Sequence, residues 1–364
     1  MIILVRLGVF FLAVLLLVTG CTATKPENRK YHKYSYEFLG AFDTMIQFMG
    51  YAENESQFED MAKKGQARFE YLHKLYDKYS SYDGISNIKT INDNAGNKPV
   101  EVQQEIIDLI LFSKEMYGKT GGKVNIALGP VLSIWHDYRE EGRNTPEHAR
   151  LPDMESLKKA ALKTDIDKIE ISVSKKTVFL KEAGMSLDIG AVAKGYATEV
   201  VARELSSAGF TSFIISSGGN VRTVGKPMDG TRNKWGIGIQ DPNSNDNIHE
   251  STNLDIVYMT DASLVTSGDY QRNYKVNGQI IHHIIDPVTL LPANHYRSVT
   301  IMTKDSGLAD FMSTTAFLLP YDESRKLIED MEGVDALWVM PDGSINVTDN
   351  MKKVLKGIGS ASGK

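Results

Sequence analysis

The chain has 364 residues, 42% of them hydrophobic and 24% charged, enough to bury a sizeable core in one large domain or two. A net charge of −5 supplies no polybasic field, so nucleic acid is excluded as a partner on electrostatic grounds. A single cysteine, Cys21, excludes an internal disulfide framework.

Residues 1–20 read as a secretory signal rather than as part of the fold. One positive charge, Arg6, precedes an apolar run from Leu7 to Val18 that is short for a membrane span. It ends in Val18-Thr19-Gly20-Cys21, which resembles the bacterial lipobox, where the cysteine is diacylated and becomes the mature N-terminus. An ordinary signal peptide with a chance cysteine is the alternative; the position of the only thiol at the end of the apolar run favours the lipobox. Two acyl chains anchor stably, at about 0.8 kcal/mol per buried methylene, so the expected location is the extracytoplasmic face of a membrane. Residues 21–34 are polar and aperiodic and read as a flexible tether. The folded domain is expected over 35–358.

Tyr36 to Tyr51 is strand-rich. Phe58 to Tyr79 has apolar residues at helical spacing, and Gln103 to Tyr117 forms a second helix ended by Gly118 to Gly122. Ser80 to Pro99 between them is polar and turn-prone. A helix is expected from Gly129-Pro130 to Tyr138, then a charged surface loop over Arg139 to Pro152, a helix over Ser156 to Thr164 and a hairpin over Ile169 to Leu180. Strands are expected at Met185 to Ile189, Phe213 to Ser216 and Trp235 to Gln240, with a helix from Val192 to Ser207. Asn277-Gly278 between β-rich runs is a two-residue hairpin signal. Helices over Ser306 to Leu319 and Glu323 to Met331 precede a last hairpin around Pro341-Asp342-Gly343. The order is mixed rather than strictly βαβ, so the expected class is α+β, with largely antiparallel sheets and packed helices.

Several stretches carry chemistry-capable residues. Ser186 to Ala197 runs from strand to helix, with Gly190 at the junction and Lys194-Gly195 in the first turns; a helix start suits a phosphate. Taken alone, such a stretch is more often a plain strand-to-helix turn. Ser216-Ser217-Gly218-Gly219-Asn220 allows close approach to backbone. Trp235-Gly236-Ile237-Gly238-Ile239 leaves one bare strand face for a neighbour or a ligand. In Gln279 to Pro287, strand periodicity sends His282 and His283 to opposite faces, so only one can serve a given site as general base; each serves equally well as a structural histidine. Asp310 and Thr314 lie four apart on one helical face and offer the oxygen ligands that Mg²⁺ prefers; a local cap would use the same pair.

Taken in order, these segments resemble the ApbE-like family of FAD:protein FMN transferases, from about Phe38 to Leu355. The resemblance rests on Phe42-Asp43-Thr44, on Gly129-Pro130 with Trp135, on Asp188 to Ala197, on Gly218-Gly219-Asn220 and on Gly238 to Pro242. It continues through Thr266 to Tyr270, His283 to Pro287 and Leu308-Ala309-Asp310 with Thr314. It implies Mg²⁺ bound by Asp310, Thr314 and the Ala191 carbonyl, with FAD as substrate contacting Phe42, Tyr82, Lys123, Val124, Asn125, Asp188, Lys194 and Ile284. His283 corresponds to the family's base. The sequence departs from the family after Pro287, where Thr289 is followed by Leu290 and not by glycine.

The resemblance implies transfer of FMN from FAD to a threonine or serine hydroxyl of an acceptor flavoprotein with an Asp-x-x-(Thr/Ser)-Gly-Ala-(Thr/Ser) motif, releasing AMP. This chain carries no such motif. The same site supports hydrolysis of FAD as a side activity, with water replacing the acceptor. The competing readings are a flavin-binding lipoprotein without catalysis and a solute-binding lipoprotein, the second of which would show two similar lobes.

Overall fold

The computed structural model describes residues 30–244 and 253–364. Its frame is an eight-stranded sheet. From edge to edge the strands are His32–Ala41, Thr44–Ala52, Phe213–Ser217, Asn220–Val224, Ser263–Gly268, Ser298–Thr303, Asp335–Val339 and Ile345–Val347. Every neighbouring pair is antiparallel. Side chains alternate between two faces, as the pleat requires. Phe213 and Ile215 join one core while Ile214 joins another; Ala336 and Trp338 oppose Leu337 and Val339 in the same way.

The larger core is completed by the helices Glu55–Tyr76, Ala193–Ser207 and Ser306–Leu318, which contribute Phe69, Leu72, Val201, Phe311 and Phe317. The second core is completed by an antiparallel ribbon, Trp235–Gln240 with Asn253–Met259. A third cluster joins Leu128, Val131 and Trp135 of the Gly129–Asn144 helix region to Leu157, Ile285 and Leu290. The class is α+β, as the element order predicts.

Five expectations need correction. The first strand starts at His32, inside the expected tether, and the last residues continue past 358, with Asn233 N–H donating to the Gly363 carbonyl at 2.8 Å. The turn-prone stretch after residue 80 contains a short helix, Ile88–Asp93, closed by an Asn87/Thr90 capping box. Six residues are too few for periodicity to register, and the capping pair was the available signal. The helix beginning at Gly129 runs to Asn144, so Arg139 belongs to a helix and not to a surface loop. Residues 185–189 are extended without a ladder partner; Asn92 brackets Leu187 with two hydrogen bonds instead, and Asp188 N–H donates to the Ile126 carbonyl. Finally, His282 and His283 follow the Gln279–Ile281 strand rather than lying on it.

Of the expectations inside residues 1–29, including Cys21, all lie outside the described residues. Among the described residues no helix is long and apolar enough to cross a membrane.

Candidate active site

One cavity of about 550 Å³ gathers every site residue picked from the sequence apart from Cys21. Phe42, Tyr82, Lys123, Val124, Asn125, Asp188, Ala191, Lys194, His283, Ile284, Asp310 and Thr314 all line it. Its size suits a drug-sized or dinucleotide ligand.

The floor is set by two helix starts. Gly195 sits where the Ala193–Ser207 and Ser306–Leu318 helices touch: a Cβ there would stand 2.2 Å from the Ser306 carbonyl oxygen and 2.4 Å from Asp310 Cβ. Only glycine permits this approach, and it has an electrostatic consequence. Gly195 N–H donates to Asp310 Oδ2 at 2.8 Å and not to the Ala191 carbonyl four residues back. The Ala191 carbonyl therefore has no backbone donor among the described residues. Glu199, one turn further on, accepts from Ser306 N–H at 2.9 Å and fixes the same helix contact.

Asp310 is 4% exposed. Its second oxygen has only a loose partner, Lys194 Nζ at 3.8 Å. Thr314 Oγ1 lies 3.4 Å from Ser267 Oγ, which also bonds Ser313. The donor set is thus one buried carboxylate, hydroxyls and a free backbone carbonyl, all hard oxygen. Among the described residues no group of three or more His, Cys, Asp or Glu could cage an ion. That set fits Mg²⁺, which is held by one or two carboxylates and completes its shell with substrate phosphates and water.

The two histidines separate cleanly. His282 is buried, its Nε2 2.7 Å from the Ala293 carbonyl and its Nδ1 accepting from Ile284 N–H at 3.2 Å, with the ring edge-on to Phe317. Its hydrogen-bonding capacity is used by the fold. His283 lines the cavity, and its buried Nδ1 has no partner. Burial, then the charges of Arg272, His282, Arg139 and Lys194, push His283 down to about 3. It is neutral at physiological pH, with a ring able to accept a proton.

Asp188 is paired more tightly than the sequence suggests. Lys78 Nζ lies 2.6 Å from its Oδ2, and Gly190 N–H donates to Oδ1 at 2.9 Å. Burial works to raise this carboxyl, but Lys78 and the Gly190 N–H outweigh it and leave the group below its usual range. Asp77 takes a hydrogen bond from the Tyr82 hydroxyl at 2.7 Å, and burial together with Asp77 pushes Tyr82 up to about 12. Lys123 pairs with Asp286 at 3.1 Å. Asn125 donates to the Thr164 carbonyl and accepts from Ala127 N–H, so its side chain shapes the turn into the Gly129 helix. Phe42 occupies a left-handed turn (φ 55°) between the first two strands, edge-on to Phe69.

The turn after Pro287 survives the missing glycine. Asp286 Oδ1 accepts from Val288 and Thr289 N–H groups, and Leu290 adopts φ 63°. Its carbonyl accepts from Trp135 Nε1 at 3.0 Å, and its side chain is buried against Trp135 and Val131. Apolar burial of a leucine, about 1.5–3 kcal/mol, exceeds the strain of one left-handed residue, about 1–2 kcal/mol.

Sequence reasoning missed Lys78, Arg139, Asn220, Ser267 and Arg272, which also line the cavity. Asn220 stood in a segment singled out for its glycines, and its buried Nδ2 lacks a partner. Ser267 stood in the Thr266 to Tyr270 segment that carries the resemblance, and Lys78, Arg139 and Arg272 had no local signal beyond their residue type. Conversely, the bare face of Gly236 and Gly238 is no ligand site: Tyr258, Ile256 and Asn253 fill the space a Cβ would take.

Comparison with known proteins identifies the relatives of the chain. The model of the ApbE family matches residues 42–338. A protein of Treponema pallidum named FAD:protein FMN transferase is 32% identical over 275 residues, 72% of this chain and 73% of that one. A Klebsiella pneumoniae protein of the same name is 28% identical, covering 74% of this chain and 80% of its own. The crystal structure of the ApbE protein from Thermotoga maritima superposes with a TM-score of 0.75 at 26% identity, over 89% of this chain and 99% of that one.

Proposed function

The chain belongs to the ApbE family and is an FAD:protein FMN transferase, and from that premise we propose that it is magnesium-dependent, acts on a threonine or serine hydroxyl and releases AMP. The observation that carries this reading is the Asp310–Gly195 contact, which holds a buried carboxylate beside a freed Ala191 carbonyl in the cavity that also contains His283.

Asp310, Thr314 and the Ala191 carbonyl are the groups that would hold Mg²⁺; bound there, the ion supplies charge neutralisation for the FAD diphosphate. The protein's own groups do the remaining work. His283 takes the proton of the acceptor hydroxyl. The hydroxyl oxygen forms a bond to the phosphorus on the FMN side, the bond from that phosphorus to the bridging oxygen breaks, and the electron pair leaves on AMP. Acceptor hydroxyl and FAD become phosphoester-linked FMN, AMP and one proton.

A histidine at about 3 is a weak base in the free protein. Phosphoryl transfer asks mainly for positioning and charge neutralisation, which a rigid polar cavity provides.

The acceptor is proposed to be a separate flavoprotein with an Asp-x-x-(Thr/Ser)-Gly-Ala-(Thr/Ser) motif, and Cys21 to carry the lipid that holds the enzyme on the extracytoplasmic face of the membrane. The deciding experiment incubates the protein with FAD, Mg²⁺ and a peptide containing that motif, then weighs the peptide. A gain of one FMN residue, lost on removing Mg²⁺, supports the reading. An unmodified peptide with flavin merely retained by the protein would leave a flavin-binding lipoprotein.

A further inference from the structure

The cavity that holds His283 also holds a cation that the reaction as written leaves without a bonding role. Arg272 lines the cavity and is exposed, and among the described residues its guanidinium makes no hydrogen bond or ion pair. The other cations of the cavity have partners. Lys78 pairs with Asp188, Lys123 with Asp286, and Lys194 approaches Asp310. Arg139 reaches His136 at 2.8 Å.

Its backbone is also unusual. Arg272 has φ 43°, a left-handed conformation that costs a side-chain-bearing residue about 1–2 kcal/mol. The loop leaves it little choice. On one side Asp269 is fixed twice to Arg297, by N–H to the carbonyl at 3.0 Å and by Oδ2 to Nε at 2.7 Å. On the other, Asn273 Nδ2 donates back to the Asp269 and Tyr270 carbonyls, at 3.2 and 2.9 Å. Tyr274 then packs on Gly142 and donates to the Arg150 carbonyl. Glycine would adopt this φ without cost, and among the described residues no hydrogen bond, ion pair or ring contact of the Arg272 side chain repays the strain. Strain of this kind gathers where a side chain must be held ready for a ligand.

The ligand is an anion, and the place narrows which one. Arg272 is close enough to His283 for its charge to bear on that ring. The hydroxyl that His283 deprotonates must reach the phosphorus of the transferred group, so an unpaired cation lining the same cavity has that phosphate as its anion. A guanidinium is permanently charged and binds two phosphate oxygens at once with its planar fork.

We propose that Arg272 is a catalytic residue, its guanidinium holding the non-bridging oxygens of the FMN phosphate while the acceptor oxygen–phosphorus bond forms and the bond to AMP breaks. This rests on the transferase reading given above. The contact strengthens as charge spreads over those oxygens, so it favours the transition state over bound FAD.

The test compares wild type with Arg272→Ala, Arg272→Lys and Arg272→Gly, measuring kcat for transfer, KM for the acceptor peptide, Kd for FAD by flavin fluorescence, and melting temperature. Arg272→Gly guards against misfolding, since it suits the left-handed backbone. The expected result is a fall of about 100-fold in kcat for the Ala and Gly variants, with Kd for FAD and KM for the peptide changed only a few-fold. Added guanidinium ion should restore part of the Ala variant's rate, and lysine should retain part of it. Rates within a few-fold of wild type overturn the proposal, as does a loss carried wholly by acceptor KM or by FAD affinity. A wild type that transfers no FMN overturns the transferase reading itself and this proposal with it, an outcome distinct from an active wild type with active variants.

Discussion

Gly195 gives its backbone N–H to Asp310 Oδ2 at 2.8 Å, so the start of one helix is capped by a carboxylate from another. The contact aligns Asp310 with the positive end of the helix dipole and removes the donor that would otherwise close on Ala191. Substituting Asp310→Asn preserves an acceptor oxygen for Gly195 but removes the charge. Transfer should fall by about 100-fold or more while the melting temperature changes little. Asn at this position with wild-type turnover would remove Asp310 from the metal set.

Gly195→Ala tests the geometry instead of the charge. Its Cβ would meet the Ser306 carbonyl and Asp310 Cβ, both parts of packed helices that cannot yield cheaply. Overpacking of this kind costs about 1–3 kcal/mol. The added methyl should also displace Asp310, so the Mg²⁺ concentration giving half-maximal transfer should rise. A lower melting temperature with an unchanged Mg²⁺ dependence would mean that the helix contact serves packing alone.

The adjacent histidines should part in their behaviour. His283→Ala should cut transfer by about 100- to 10,000-fold and leave the fold intact, because its Nδ1 has no partner to lose. His282→Ala gives up the bonds to Ala293 and Ile284 and leaves a hole beside Phe317, so it should destabilise by about 2–4 kcal/mol with turnover per folded molecule preserved. Both rings are depressed by burial first. Below the usual histidine value near 6.5 the unfolded chain therefore binds protons that the folded chain refuses, and stability falls as pH drops from there toward 3. Removing His283 should flatten that slope in denaturant titrations at pH 4 to 7.

How far this was legible in the sequence differs from one feature to the next. The turn at Asn277-Gly278 announces itself because its two residues suit positive φ, and they have φ 49° and 82°. The turn at Phe42-Asp43 uses the same left-handed geometry, φ 55° and 51°, with residues that give no such signal. Asp310 and Thr314 were legible as a pair because helical spacing is local. The partner of Asp188 was not: Lys78 is 110 positions away, and only the folded Glu55–Tyr76 helix and the 185–189 segment bring the two together. Arg139 was misplaced because the last turns of its helix, up to Asn144, are charged and polar, and a helix end without apolar periodicity reads as loop.

Leu290 offers a test of competing magnitudes. It holds φ 63° where relatives with glycine would be unstrained, yet its side chain is 5% exposed. Leu290→Gly relieves the backbone and loses the burial; Leu290→Ala loses most of the burial and keeps the strain. Both should be less stable than wild type, and the alanine variant should be the weaker by about 1 kcal/mol in chemical denaturation. The reverse order would show that the backbone strain at this turn is negligible.

The Lys78–Asp188 pair sets the last prediction. Each side chain is largely buried, at 18% and 14% exposure, so neither charge is well hydrated once its partner is gone. Lys78→Met should therefore destabilise by about 2 kcal/mol, less than the about 3–5 kcal/mol of a fully enclosed pair because some solvent reaches this one. Asp188 lies below its ordinary value in the folded state, so the stability it contributes is present above pH 4 and lost as pH falls through the depressed value. The Lys78→Met defect should accordingly shrink in acid, and the double variant Lys78→Met/Asp188→Asn should be more stable at neutral pH than Lys78→Met alone, since it removes the stranded carboxylate. FAD binding separates structure from recognition. If Asp188 contacts FAD directly, the double variant regains stability without regaining affinity; recovery of both would assign Asp188 to the scaffold and move FAD recognition to its neighbours in the cavity.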